Sequence, residues 1–191
     1  DFNLRRYIDA IEAELNGMDF NVEVSEKAKS IDAAIESAFI KAGTKEHLLK
    51  IRVPDEVAER IGKTDRLKIK IEVDTDPPSG FGTEDKVVLQ PIAFSVRTYR
   101  PPDLFAGKLH AVLQRAWRGD RVKGRDYCDF AWYLGRGTPV HVAHLEQRLR
   151  QTGGWTLERA LNEQDLHSLL TEKFSRLDVA RAKSDVLPFV R

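Results

Sequence analysis

The chain has 191 residues, and its 31 Lys and Arg against 30 Asp and Glu leave a net charge of +1. That length suits one large domain or two small ones, and the near-neutral balance excludes a protein that binds nucleic acid through overall basicity, so any basic surface must come from local clustering. The single cysteine, Cys128, excludes an internal disulfide and fits a reducing cytosol, and no apolar run approaches the roughly 20 residues that span a bilayer. The expected location is therefore cytoplasmic, with no membrane partner.

Leu4, Ile8, Ile11 and Leu15 recur at helical steps and predict a helix stopping near Asn16-Gly17. Phe20, Val22 and Val24 alternate with polar residues as a half-buried strand does. Further strands are expected over Ala34 to Lys41 and Leu48 to Val53, followed by a short helix from Asp55 to Arg60. The clearest strand is Leu67 to Asp74. There Leu67, Ile69, Ile71 and Val73 share one face, and Lys68, Lys70, Glu72 and Asp74 share the other. Asp76-Pro77-Pro78-Ser79-Gly80 breaks it, and one more strand is expected over Ile92 to Tyr99.

After Pro101-Pro102 the pattern changes from strands to helices, so the domains are read as 1–100 and 101–191. Asp103 is expected to cap a helix reaching Trp117, with Phe105, Leu109, Val112 and Ala116 as its apolar stripe. Helices are then expected over Asp126 to Leu134, His141 to Arg150, Thr156 to Glu172 and Val179 to Val186. The fold class is α+β, a sheet domain followed by a helical one.

Three constellations are candidates for chemistry. Glu72 and Asp74, on alternate residues of one strand, place two carboxylates about 6 to 7 Å apart, which with substrate phosphates suits a divalent metal. Lys70 shares that face, and an ordinary solvated sheet face gives the same pattern. Lys108, Ala111, Arg115 and Arg118 share one helix face, and three cations in line suit a triphosphate, as they also suit a plain basic surface. Asp126 and Asp129 are neighbours on the next helix, with Arg125 at i and i+4 from Asp129 for a structural ion pair. The five histidines show no zinc spacing, and His110 lies off the basic face. Trp117, Trp132 and Trp155 lie among apolar residues and are expected in the core, and Cys128 is expected to be buried.

In order and spacing these pieces resemble the AbiE-type (AbiEii/AbiGii) abortive-infection nucleotidyltransferase toxins. The strand Leu67 to Asp74 is similar to that family's carboxylate-bearing central strand. Pro102 to Arg115 is similar to its Lys-Leu-x-Ala helix, Lys123 to Asp129 to its Arg-Asp-x-x-Asp signature, and Phe174 to Phe189 to its C-terminal pattern. The resemblance implies a polymerase-β-like nucleotidyltransferase domain followed by a helical domain. It implies Mg2+ or Mn2+ as cofactor and a nucleoside triphosphate as substrate. It also implies a growth-inhibiting toxin of phage defence, with the 3′ end of tRNA as acceptor and an antitoxin as partner. Carried across, Glu72 with Asp74 beside it would be the metal carboxylates, and Lys108 and Asp126 the further catalytic residues. Lys70, Arg115, Arg118, Arg125 and Asp129 would complete the nucleotide site. The family's first signature, a Gly-Ser turn followed by alternating aspartates, has no counterpart in a chain that starts at Asp1. The sequence is thus expected to be an internal piece with impaired activity as it stands. The competing expectation is a non-catalytic interaction or nucleic-acid-binding module that retains the fold.

Overall fold

A computed structural model describes residues 4–18, 20, 22–26, 35–43, 66–90, 92–115 and 122–189. The architecture is mixed α/β. It forms two compact units, Asp1–Pro77 and Pro78–Arg191. The division falls before the last pair of strands, whereas the sequence places it at 100–101. Among the described residues those strands pair only with each other, and the segment leading into them bonds helical residues of the second unit, Gly82 to Asp103 and Ser79 to His144, so they belong with the helices.

In the first unit, α1 (Leu4–Gly17) covers a three-stranded antiparallel sheet of β1 (Val22–Glu26), β2 (Ile35–Gly43) and β3 (Arg66–Asp74), ordered β1-β2-β3. The helix buries Leu4 and Ile8 against Ala38, Val24, Ile71 and Val73, the stripe and the alternation read from the sequence. Asn16 sets the turn out of α1, since its Oδ1 accepts the Val22 N–H at 3.0 Å. β1 therefore starts at Val22 rather than at Phe20, whose own N–H still donates to Leu15 O. Lys70, Glu72 and Asp74 lie on the face of β3 away from that core, opposite Phe39, Ser37 and Ile35 in register. The strand expected at Leu48 to Val53 and the helix expected at Asp55 to Arg60 lie outside the described residues.

The second unit opens with a hairpin of β4 (Thr83–Val88) and β5 (Phe94–Tyr99). Five helices follow: α2 (Pro101–Gln114), α3 (Gly124–Gly135), α4 (Val142–Gln151), α5 (Glu163–Ser175) and α6 (Val179–Val186). The core forms around α2, where Phe105, Ala106 and Leu109 meet Leu145 and Leu149 of α4, Leu166 of α5, and Trp155 and Leu161. Phe105 stacks on Tyr133 of α3 with centroids 4.9 Å apart.

Two helix starts differ from the sequence reading. Arg100 is the N-cap of α2, with prolines in the first two positions, which tolerate a missing N–H. Asp103 sits inside the helix with its carboxylate turned elsewhere. α5 begins at Glu163 instead of Thr156, behind an Asn162–Asp165 capping box. The preceding segment is held on α4: Glu146 accepts the Leu161 N–H at 2.9 Å, and Arg150 and Trp155 donate to Arg159 O. Those bonds use backbone groups that a helix would need.

Candidate functional site

Each unit carries part of the predicted set. In the first, Lys70 pairs with Glu72 along β3, and Asp74 Oδ1 accepts the Asp76 N–H at 3.1 Å as the strand ends. All three side chains are exposed. The Asp76 turn fixes Asp74, and Lys70 answers the charge of Glu72. Among the described residues, no group of three or more His, Cys, Asp or Glu is placed to hold a metal ion. Two adjacent exposed carboxylates are nevertheless the donor set with which magnesium is held when substrate phosphates and water complete its shell.

In the second unit α2 and α3 face one another through two charged rungs. Lys108 Nζ donates to Asp129 Oδ2 at 2.5 Å, with both side chains about 40% exposed. Arg115 Nη1 straddles both oxygens of Asp126, at 3.0 and 2.8 Å. Here the exposures are unequal, 45% for the Arg115 side chain and 7% for Asp126. Lys108 and Arg115 are seven residues apart on α2, so the rungs stand about 10 Å apart along it. Lys108 is an accessible cation in a fixed position, able to meet an anion from solvent. Asp126 is a buried anchor whose charge is already answered.

The expected Arg125–Asp129 pair does not form, because Asp129 is taken by Lys108. Arg125 lies over the Phe189 ring at 5.0 Å instead. Arg118 lies outside the described residues. The motif glycine Gly124 brings α3 onto α6, where its N–H donates to Asp185 Oδ2 at 3.0 Å. A Cβ there would stand 1.9 Å from Ala182 O. The C-terminal pattern is likewise structural in part: Phe174 packs on Tyr127 and Phe130, and Asp178 caps α6 by accepting the Arg181 N–H.

Two expectations about single residues are corrected. Cys128 is exposed, since α3 turns it away from the core. Trp132 is half exposed, beneath the Arg136 guanidinium at 4.5 Å. Trp155 is buried as expected, while Trp117 lies outside the described residues.

A polar cluster beneath the hairpin was not legible in the sequence. Asp103, 4% exposed, accepts the Gly82 N–H at 3.1 Å and meets His141 Nδ1 at 2.5 Å. Burial raises the Asp103 pKa, but His141 and the Gly82 bond outweigh it and hold the carboxyl below its ordinary range. His144, fully buried, bonds Ser79 O through Nδ1, and its Nε2 accepts Arg148 Nε at 3.0 Å. That pattern requires the neutral ring, and burial first, with Arg148 adding to it against the Ser79 bond, holds His144 below its usual value. His-x-x-His on one helix face was the available signal, but Asp103 is too distant in sequence for spacing to reveal it.

The model of the family described as nucleotidyl transferase AbiEii toxin, type IV toxin–antitoxin system, matches residues 3–191. The chain belongs to that family. It is a nucleotidyl transferase toxin-family chain over nearly its whole length, and a cognate antitoxin is implied by the type of system. A comparison with curated proteins gave no match. Among the described residues, no helix of this AbiEii-family chain is long and apolar enough to cross a membrane.

Proposed function

We propose that this AbiEii-family chain transfers a nucleotide from a nucleoside triphosphate to the 3′ end of tRNA in the cytoplasm, as a toxin restrained by its antitoxin during phage infection. The observation that carries the reading is Lys108, an accessible ammonium held by Asp129 on the helix whose sequence resembles the family's Lys-Leu-x-Ala motif. A phosphate group arriving from solvent competes with Asp129 for that ammonium, which then neutralises charge developing on the departing pyrophosphate. Glu72 and Asp74, on a sheet read as polymerase-β-like, would hold Mg2+ or Mn2+. The metal would supply neutralisation of the triphosphate and polarisation of its α-phosphate. Lys70, Arg115, Arg118, Arg125 and Asp129 complete the proposed nucleotide set. Within it, Asp126 acts by fixing Arg115.

The test uses the full-length protein with magnesium, each labelled triphosphate in turn and total cellular RNA, beside Lys108→Ala. Label on RNA from the parent and not from the variant supports the reading and names the nucleotide. Label on protein keeps the chemistry and overturns the tRNA acceptor. No label from a folded parent favours the non-catalytic module.

A further inference from the structure

Below the Arg115–Asp126 rung, where α2 ends, the second unit contains a pocket of about 470 Å3. Leu113, Val122, Leu169 and Leu177 form apolar walls, and Tyr127 contributes its ring. Neither Lys108 nor Asp129 lines it. Tyr127 packs at a tilt against Phe174, with centroids 5.8 Å apart. Burial, then the nearby Asp126 charge, holds its phenol above the ordinary value, so the hydroxyl remains a donor. Lys173 also borders the cavity, and its ammonium bonds Leu113 O and Arg115 O at the end of α2. Arg115 meets Asp126 through Nη1 alone among the described residues, and Arg176 stands at the rim beside Glu172.

The charges restrict the occupant. Arg115, Lys173 and Arg176 face Glu172 and Asp178, so the lining sums to +1. Asp178 is further tied to Arg181. A triphosphate, with about four negative charges, is poorly matched to so small an excess, whereas a phosphate mono- or diester is well matched. Guanidinium groups fork onto phosphate oxygens, and an aromatic ring with apolar walls receives any base face. The volume lies within the range of small-ligand sites and admits one nucleotide, not a duplex.

We propose that this pocket binds a single nucleotide unit carrying one phosphate, either a free nucleoside monophosphate or one residue of a single-stranded RNA. Its base rests against Tyr127 and the leucines, and its phosphate against Arg115 and Arg176. As the seat of an acceptor strand the pocket rests on the transferase reading above; as a nucleotide-binding pocket it does not.

Binding is measured calorimetrically on the full-length protein with AMP, CMP, GMP and UMP in turn, and with a short single-stranded RNA. Arg176→Glu and Tyr127→Phe are compared with the parent. The Arg176 side chain is 77% exposed, so Arg176→Glu reverses a rim charge and breaks only an exposed ion pair with Glu172, which contributes little to stability. Arg176→Glu is expected to weaken binding at least about tenfold. Sensitivity with the RNA alone identifies a strand as occupant, and sensitivity with a monophosphate alone identifies the free nucleotide. Absence of binding by every probe overturns the proposal. So does binding that Arg176→Glu and Tyr127→Phe leave intact. None of these readouts requires transfer activity, so failure of the enzyme assay and failure of the pocket remain distinct.

Discussion

Replacing Arg115 with alanine leaves the Asp126 carboxylate, 7% exposed, without its guanidinium partner. Removing one member of a fully buried pair costs about 3–5 kcal/mol, whereas an exposed pair contributes about 0–1. The 45% exposure of the Arg115 side chain places this rung between those limits, and about 2 kcal/mol is expected. At roughly 2–4 °C per kcal/mol for a chain of this size, the melting temperature should fall by about 4–8 °C. Asp126→Asn keeps the shape and leaves only a solvated guanidinium, so about 1 kcal/mol is expected. Lys108→Ala, which breaks the half-exposed rung, should cost about 0.5 kcal/mol and shift the midpoint by about 1–2 °C. Thermal denaturation followed by circular dichroism at one pH and protein concentration measures all three. The reasoning is refuted if Lys108→Ala destabilises as much as Arg115→Ala, or if Arg115→Ala leaves the midpoint within about 1 °C of the parent.

Gly124→Ala forces a methyl onto Ala182 O, a backbone atom that cannot step aside, so a loss of about 3 kcal/mol is expected together with earlier protease cleavage around α6. Stability should also fall on mild acidification. His144 and His110 both titrate below their ordinary value in the folded chain, chiefly through burial, with Arg148 beside each. The unfolded chain therefore takes up protons first, and their contribution, complete above about pH 6.5, is lost as pH falls through the depressed folded values. Melting curves from about pH 7.5 to about 5.5 measure the slope, which His144→Gln should flatten; an unchanged slope removes His144 from the account. Asp103 does not offset this, because a lowered carboxyl loses its contribution only at more acidic pH. Finally, the exposed Cys128 should react with a thiol reagent in the native protein at nearly the rate seen in denaturant, and a slow native reaction would contradict its placement.

The elements that alternate or repeat cleanly were legible. β3 reads as a strand because a sheet buried on one face demands period two, and α2 shows its stripe because Phe105, Leu109 and Val112 all face one core. β4 was not legible. Thr83–Val88 is a strand of a two-stranded ribbon with most residues exposed, so neither face selects apolar side chains. The false extension of α5 back to Thr156 has a similar origin: apolar spacing continues through Trp155 and Leu161, but Glu146 and Arg150 hold that stretch open. The charged residues Lys108, Arg115, Asp126 and Asp129 were visible as candidates from spacing. Their pairing was not, because helical spacing suggests contacts within α3 while the bonds run across to α2. The Asp103–His141 and His144–Arg148 contacts depend on a tertiary approach that no local pattern encodes.

The β4–β5 hairpin carries a consequence for handling the protein. Val87, Leu89, Ile92 and Phe94 are each more than half exposed around its tip, beside strands that pair with no others among the described residues. Such a tip is adhesive: its apolar side chains and open backbone edges can nucleate sheet growth between molecules as concentration rises. Concentrated stocks should cloud at a threshold set by this hairpin, with little dependence on how firmly the helices hold together. A lysine in place of Val87 is the corresponding gatekeeper, and should raise the clouding concentration while leaving the melting temperature unmoved.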